Sequence, residues 1–137
     1  MKITVAFTFS LLIFFNPGIS GQNLIGYNEK EILKYMKDKQ RNMNFQKFNN
    51  NSTFKYLKFV DNNESQTLLF FLTSDSVCKA IRLICDKNLK AEKIREFDNI
   101  YTKTGVGVWT ETRKGKKYTI ELKDEDLSLT INIRPNE

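Results

Sequence analysis

The side chains that carry most enzyme chemistry are scarce in this chain of 137 residues, which has no histidine and two cysteines. Without an imidazole, a Ser–His or Cys–His nucleophile system has no base that titrates near pH 7. Zinc sites with imidazole ligands are excluded, and two cysteines cannot complete a four-cysteine site. The glycines are scattered, so there is no glycine-rich loop for a phosphate. We therefore assign no catalytic residue, no metal ligand and no cofactor, and only carboxylate-based or lysine-based catalysis stays open.

The two cysteines, Cys78 and Cys85, lie in a segment, 77–85, whose composition predicts a β-strand. Over seven residues, a strand rising about 3.3 Å per residue separates their Cα atoms by more than about 20 Å. A disulfide needs Cα atoms within about 7 Å. We expect two buried free thiols. A sharp turn inside the segment would permit a disulfide, and an intermolecular or catalytic role is a further alternative.

Charged residues form two clusters in addition to a basic excess of 22 Lys+Arg over 16 Asp+Glu. The acidic cluster 124–126 lacks the spaced ligands of a calcium loop, so it predicts a turn with solvated carboxylates. Basic residues crowd one hairpin tip, and others flank aromatic residues on a predicted strand. A lysine-rich solvated surface is the ordinary interpretation, and a site for anionic polymers or lipid headgroups is the functional one. The basic residues are Arg113, Lys114, Lys116 and Lys117 at the tip, and Lys55 and Lys58 beside Tyr56 and Phe59.

One predicted strand, 66–73, is apolar on both faces because Leu68 to Leu72 are consecutive large apolar residues. A sheet covered by helices on one side should alternate apolar with polar residues. Two explanations remain open: the segment 43–48 or a curled sheet covers the second face, or that face is an apolar patch that binds a partner. Leu69 and Phe71 are therefore the candidate binding residues.

The N-terminal segment resembles a secretory signal peptide. A positive start, Lys2, precedes an apolar stretch over 3–15, a breaker at 16–18 and small residues at a cleavage point. We expect cleavage after Gly21, or else after Ser20, so that 1–21 is the leader and 22–137 is a single domain. The apolar stretch is shorter than the roughly 20 residues that cross a bilayer. We expect a periplasmic or secreted protein that does not span the membrane.

Helix and strand signals follow one another along the rest of the chain. Asn28 and Glu31 form a capping box for a helix that ends near 39–41. The segment 43–48 fits an edge strand or a loop. A second helix is predicted over 87–102, with Asp86 or Asn88 as its N-cap. The predicted strands are 53–60, 66–73, 77–85, 106–112, 117–122 and 127–133.

These signals predict an α+β fold of order α-β-β-β-α-β-β-β, with one antiparallel sheet of about six strands and two helices on one face. Gly105 is expected to close the second helix, and Lys114-Gly115 to form a tight hairpin turn. The last strand should point Leu127 and its alternating apolar partners to one face. The two halves share an element order, which is consistent with an internal duplication, although no residue-level identity between them supports one.

Several short runs in the first half resemble small exported proteins of Bacteroidota, a group without an assigned activity. The likeness thins in the second half of the chain. It implies export from a Gram-negative cell and says nothing about mechanism. The runs are Leu24-Ile25-Gly26, Glu29-Lys30-Glu31-Ile32, Lys34-Tyr35-Met36-Lys37, Tyr56-Leu57-Lys58-Phe59-Val60 and Thr67-Leu68-Leu69-Phe70-Phe71-Leu72.

The sequence favours a non-enzymatic binding or interaction module of the periplasm or the exterior. Its partner would be an unknown protein, a lipid or an anionic envelope polymer, and we expect no nucleic acid because an exported protein rarely meets intracellular nucleic acid. Two alternatives stay open. One is an inhibitor or immunity-type protein that caps an enzyme or toxin, and the other is a hydrolase with two converging carboxylates.

Overall fold

A computed structural model describes residues 23–50 and 54–136, and the predicted signal peptide, 1–21, lies outside them. Within those ranges the chain is α+β, with two α-helices and a single antiparallel sheet. The helices are α1 (Glu29–Lys39) and α2 (Lys90–Ile100), and a 3₁₀ turn, Lys87–Leu89, precedes α2. The strands are β1 (Met43–Asn50), β2 (Lys55–Asp61), β3 (Gln66–Leu72), β4 (Cys78–Cys85), β5 (Thr102–Gly105), β6 (Val108–Arg113), β7 (Lys116–Asp124) and β8 (Leu129–Pro135).

The sheet is built from two meanders that meet at its centre. Its strand order is β1-β2-β3-β4-β8-β7-β6-β5, and every neighbouring pair is antiparallel. Each half of the chain is a helix followed by four strands, so the two halves share their topology as well as their element order. The last strands of the two halves, β4 and β8, pair with each other and join the meanders.

Helix α1 forms where its capping signal predicts it. The Asn28 side chain accepts a hydrogen bond from the Glu31 backbone N–H at 2.9 Å, and the Asn28 backbone N–H donates to the Glu31 carboxylate at 2.9 Å. This reciprocal pair satisfies two of the backbone donors that a helix start leaves without partners. Ile32 and Met36, one turn apart, are buried against the sheet. The predicted capping box is confirmed.

The core lies on one face of the sheet. Phe59 pairs with Leu68, Leu68 with Leu83, and Leu83 with Ile131, and directly paired residues point to the same face. Ile32 and Met36 of α1 and Phe97 of α2 belong to the same buried cluster as these residues, so both helices cover this face. Neither of the two helices in the described ranges is long and apolar enough to cross a bilayer.

The predicted count of about six strands is wrong, because the sheet has eight in the described ranges. The segment 43–48, which fitted an edge strand or a loop, belongs to the edge strand β1. The second helix ends at Ile100 rather than 102, because Tyr101 is extended, at φ −124° and ψ 170°. Thr102–Gly105 is therefore the other edge strand, and the order is α-β-β-β-β-α-β-β-β-β.

Three local predictions around these elements also fail. Gly105 ends β5 and does not close α2. Gly107 instead forms the β5–β6 turn at φ +69°, and a Cβ there would lie 3.2 Å from a Leu122 carbonyl oxygen. Asp86 is the N-cap residue of the 3₁₀ turn but its side chain makes no capping bond, and the N-cap of α2 is Leu89 rather than Asn88. Leu127 is 92% exposed because β8 begins at Leu129.

The two cysteines lie at opposite ends of one strand, as predicted. Cys78 begins β4 and Cys85 ends it, and both are buried free thiols. The expectation of two free thiols is confirmed, and the sharp turn that a disulfide would need is absent from this strand. Burial raises the pKa of the Cys78 thiol to about 12 and that of Cys85 to about 11.

We expect the native protein to react slowly with Ellman's reagent at pH 8, because the thiolate is the reactive form and both thiols are buried and protonated there. Unfolding in urea under non-reducing conditions should release both thiols. Absorbance at the thionitrobenzoate band measures both results. Rapid native labelling, or the absence of free thiols after unfolding, would contradict the assignment.

Asp61 fastens the β2–β3 hairpin. Its carboxylate accepts hydrogen bonds from the Ser65 backbone N–H and hydroxyl, both at 2.7 Å, and from the Gln66 backbone N–H at 3.0 Å. Desolvation by burial acts to raise the pKa of Asp61, but these hydrogen bonds outweigh it and hold that pKa below its ordinary value. The charged form is therefore the one that the fold stabilises.

Replacing Asp61 by asparagine should lower the free energy of unfolding at pH 7 by about 1–3 kcal/mol, because the amide presents one acceptor oxygen to several donors. The wild-type carboxylate stabilises the fold above its unfolded pKa of about 3.9 and loses that contribution as the pH falls through its lower folded pKa. The difference between the two proteins should therefore shrink at pH 3. Urea unfolding followed by emission of the buried Trp109 measures it. The exposed turn variant Asp75→Asn is the control, and a difference that stays equal at both pH values would refute this role.

Candidate functional site: the open face of the sheet

The sheet surface opposite the helices, here called the open face, carries both candidate binding residues. Leu68 and Phe70 point into the core, so Leu69 and Phe71, which alternate with them, point to the open face and are half-buried. Strand β1 lies beside β2 in the same sheet and so does not cover this face. Within residues 23–50 and 54–136, both helices and all strands leave the open face without a covering layer.

An aromatic patch of Phe54, Tyr56 and Phe71 lies on this face. The ring centroids are 6.4 Å apart for Phe54 and Tyr56, 6.3 Å for Phe54 and Phe71, and 6.2 Å for Tyr56 and Phe71. Phe54 is 54% exposed. The Arg82 guanidinium lies 5.7 Å from the centroid of the Phe71 ring. The patch therefore presents aromatic rings to solvent with a cation at its margin.

The strand register extends this patch into a row across the sheet. Lys58 pairs with Leu69, Leu69 with Arg82, and Arg82 with Asn132 on β8. The Arg82 Nε–H donates to the Asn132 Oδ1 at 2.8 Å, which orients the guanidinium along the sheet. Asn132 in turn pairs with Glu121 on β7. Two cations thus flank Leu69 on adjacent strands.

The open face is positively charged. Among the described open-face positions on β2–β4 and β6–β8, one residue, Glu121, carries a carboxylate. The Arg134 guanidinium lies 3.3 Å from it. Its remaining cations have no carboxylate within salt-bridge distance in the described ranges. An anion would therefore meet an attractive potential here. The cations on this face are Lys58, Arg82, Lys117, Lys123 and Arg134.

The two halves of the open face differ in polarity. The first half carries the aromatic patch and the half-buried Leu69, Val60 and Ile84. The second half is hydroxyl-rich, because Thr110 pairs with Thr119 and Lys123 pairs with Thr130. This surface can stack rings, attract anions and exchange hydrogen bonds.

The predicted basic cluster at the β6–β7 hairpin is only partly available to bind a ligand, because one of its members, Arg113, is engaged within the protein. The Arg113 guanidinium donates to the backbone carbonyls of Asn23 and Ile25, both at 2.6 Å, and lies 5.0 Å from the Tyr118 ring centroid. It fastens the N-terminal end of the described chain to β6. The predicted Lys114-Gly115 turn is confirmed, with positive φ at both residues.

The two lysines predicted beside aromatic residues on β2 are separated by the sheet. Lys58 and Tyr56 lie on the open face, whereas Lys55 and Phe59 point to the helix side. The Lys55 ammonium donates to the Ser76 hydroxyl at 2.5 Å. Lys58 therefore belongs to the candidate site, and Lys55 fastens the β3–β4 turn.

The acidic cluster 124–126 matches the predicted turn with solvated carboxylates only in part, because Asp124 ends β7 and is held in ion pairs. The Asp124 carboxylate binds Lys87 at 3.1 Å and Lys90 at 2.9 Å, and hydrogen bonds from Lys90 and then Lys87 lower its pKa. In the described ranges, no group of three or more acidic or cysteine side chains is placed to hold a metal. Three surface grooves are lined by no carboxylate, so they lend no support to the hydrolase alternative.

Sequence reasoning did not find Phe54 and Arg82. Side chains alternate between the two faces along each of β2, β3 and β4. To place Phe54 and Arg82 beside the candidate residues, one must also know the register, which pairs Phe71 with Tyr56 and Leu69 with Arg82. Phe54 also lies just before β2, at 54% exposure, where an isolated exposed aromatic is ordinary. Its ring contacts to Tyr56 and Phe71 make it part of the site.

Comparison with protein-family models, curated sequences and solved structures returns no match to this chain. The open face combines an aromatic patch within a cationic surface with a hydroxyl-rich surface on the same sheet.

Proposed function

We propose that the protein is an exported, non-enzymatic binding module that holds an anionic polysaccharide of the cell envelope or exterior on its open face. The signal-peptide pattern supports export, and the carboxylate-poor, cation-rich open face supports an anionic ligand. The observation that carries the proposal is the aromatic patch with Arg82 at its margin. Arg82 also belongs to a row across the sheet with Leu69 and Lys58.

The aromatic patch supplies the contact for sugar rings. The Phe54 ring is exposed and the Phe71 ring is half-buried, so both offer flat apolar surface without much further ordering of side chains. The C–H groups on one face of a pyranose ring fit such a surface. Arg82 beside Phe71 then provides paired donors for a carboxylate or sulfate on the same sugar.

The spread of the cations favours a polymer over a single lipid headgroup. Lys58 is on β2 and Lys123 is on β7, four strands away in the sheet. At about 4.8 Å between strands, they lie about 19 Å apart across the sheet. One headgroup cannot contact both, whereas successive charged units of a chain can. The threonines of the second half offer hydrogen bonds along the same path.

We expect polygalacturonate to bind the wild-type protein in calorimetric titration, with neutral dextran showing no binding. The variants Phe54→Ala/Phe71→Ala and Lys58→Ala/Arg82→Ala should each weaken binding about tenfold or more, which corresponds to about 1.4 kcal/mol. The matched control is Lys30→Ala/Lys39→Ala, which removes the same charge from exposed positions of α1. Rising salt should weaken the wild-type interaction.

Three outcomes would contradict the proposal. Polygalacturonate could fail to bind, or the control pair could lose as much affinity as the open-face pair. A single-stranded oligonucleotide or anionic lipid vesicles could bind more tightly than the polysaccharide, which would assign the face to that ligand. Emission of Trp109, which is buried in the core away from the open face, verifies that each variant is folded.

A further inference from the structure

We propose that the groove between α1 and the edge strand β1 binds a medium-chain fatty acid, with the alkyl chain in the groove and the carboxylate held by Lys37 and Arg41. The groove lies on the helix side of the sheet, where Phe45 of β1 packs on Phe59 of β2. It is thus separated from the open face by the sheet itself. The inference does not depend on the proposed function of that face.

The groove has the size and lining of a small-ligand site. Its volume is about 460 Å³, within the range of roughly 300–1,000 Å³ that such sites occupy. Its apolar wall consists of Leu33 and Met36 from α1, Met43 and Phe45 from β1, and Phe59 from β2. Phe45 is 49% exposed, and its ring centroid is 5.4 Å from that of Phe59.

The polar groups of the groove come from the last turn of α1, from the connection that follows it and from the start of β1. They are Lys37, Arg41 and Asn44, and the Asn44 amide already donates to the Asn62 side chain at 2.7 Å. The two cations are therefore the groups left for a ligand headgroup. A ligand that fits this arrangement is apolar along most of its length and carries an anionic group.

These cations make no ion pair at salt-bridge distance within the described part of the chain, although, after the hydrogen bond from Lys34, the charge of Lys37 contributes to lowering the pKa of Asp38. Asp38, the neighbouring carboxylate on α1, is held by Lys34 at 2.7 Å. No salt bridge among the described residues includes Lys37 or Arg41. Lys37 lies in the last turn of α1, where its charge interacts favourably with the helix dipole. Arg41 follows the C-cap residue and does not make this interaction. A bound carboxylate would contact the planar guanidinium of Arg41 and the ammonium of Lys37.

The wall favours an alkyl chain over a bulkier occupant. Met36 and Met43 contribute unbranched, adaptable side chains, which follow the contour of a flexible chain. A docked helix is about 10–12 Å wide with its side chains and would need a longer apolar surface than five residues provide. A single acyl chain fits the volume, and its carboxylate complements the charge.

We expect dodecanoate, below its micelle concentration, to bind the wild-type protein in calorimetric titration more tightly than dodecan-1-ol, and acetate not to bind. Lys37→Ala/Arg41→Ala should weaken dodecanoate binding about tenfold or more, and Phe45→Ser should do the same by removing the exposed wall. Lys30→Ala/Lys39→Ala, on the same helix but outside the groove, should leave affinity within about twofold. The open-face pair Phe54→Ala/Phe71→Ala should also leave it unchanged.

Three results would overturn the proposal. One is the absence of saturable dodecanoate binding by a wild-type protein whose Trp109 emission shows that it is folded. Another is equal affinity for dodecanoate and dodecan-1-ol together with no effect of Lys37→Ala/Arg41→Ala. The third is a wild-type dimer in sedimentation that Phe45→Ser converts to monomer, which would assign the groove to a second copy of the chain. Loss of dodecanoate binding in the open-face pair would likewise contradict the separation of the two sites.

Discussion

The pairing of β4 with β8 is the interaction on which the rest of the structure depends. It places Ile81 opposite Ile133 and Leu83 opposite Ile131, all on the core side. Because side chains alternate along a strand, a shift of one residue would turn every apolar side chain of one half to the opposite face. The observed register gives the two meanders a common core face and a common open face. The continuous row from Lys58 to Glu121 exists only because of it.

The helices are sufficient to cover one face of this sheet. Eight strands at about 4.8 Å span about 34 Å, and each eleven-residue helix is about 16 Å long. Both helices pack on the core face, and the described ranges have no further α-helix for the other. Leu69 and Phe71 are therefore shielded by neighbouring side chains rather than by a second layer, and this leaves apolar and aromatic surface accessible to a ligand. The same arrangement leaves the outer edge of α1 beside β1 incompletely filled, which creates the helix-side groove.

Local signals predicted α1, three of the four strands of the first half and the candidate residues, whereas the segment of β1 fitted both a strand and a loop. The capping box needs only Asn28 and Glu31, three positions apart, and the doubly apolar run of β3 is visible without any partner strand. By contrast, Thr102–Gly105 is short and polar, and its strand conformation comes from pairing with β6. Phe54 and Arg82 join the site through cross-strand register, which a single sequence does not display. Phe45 could not be assigned to a groove while its segment fitted both a strand and a loop.

The two-meander topology has a consequence for how the molecule assembles. Strands within each half pair with a neighbour in sequence, whereas Arg82 and Asn132, which meet at the junction, are 50 positions apart. Hairpins form in microseconds, and pairing over longer separations is slower, so the junction closes after the hairpins. Until it closes, β4 and β8 are unpaired edges lined with Ile81 and Ile131. At high concentration β8 of one molecule can add to β4 of another, so exchange of C-terminal halves between two copies is the characteristic misassembly that this architecture permits.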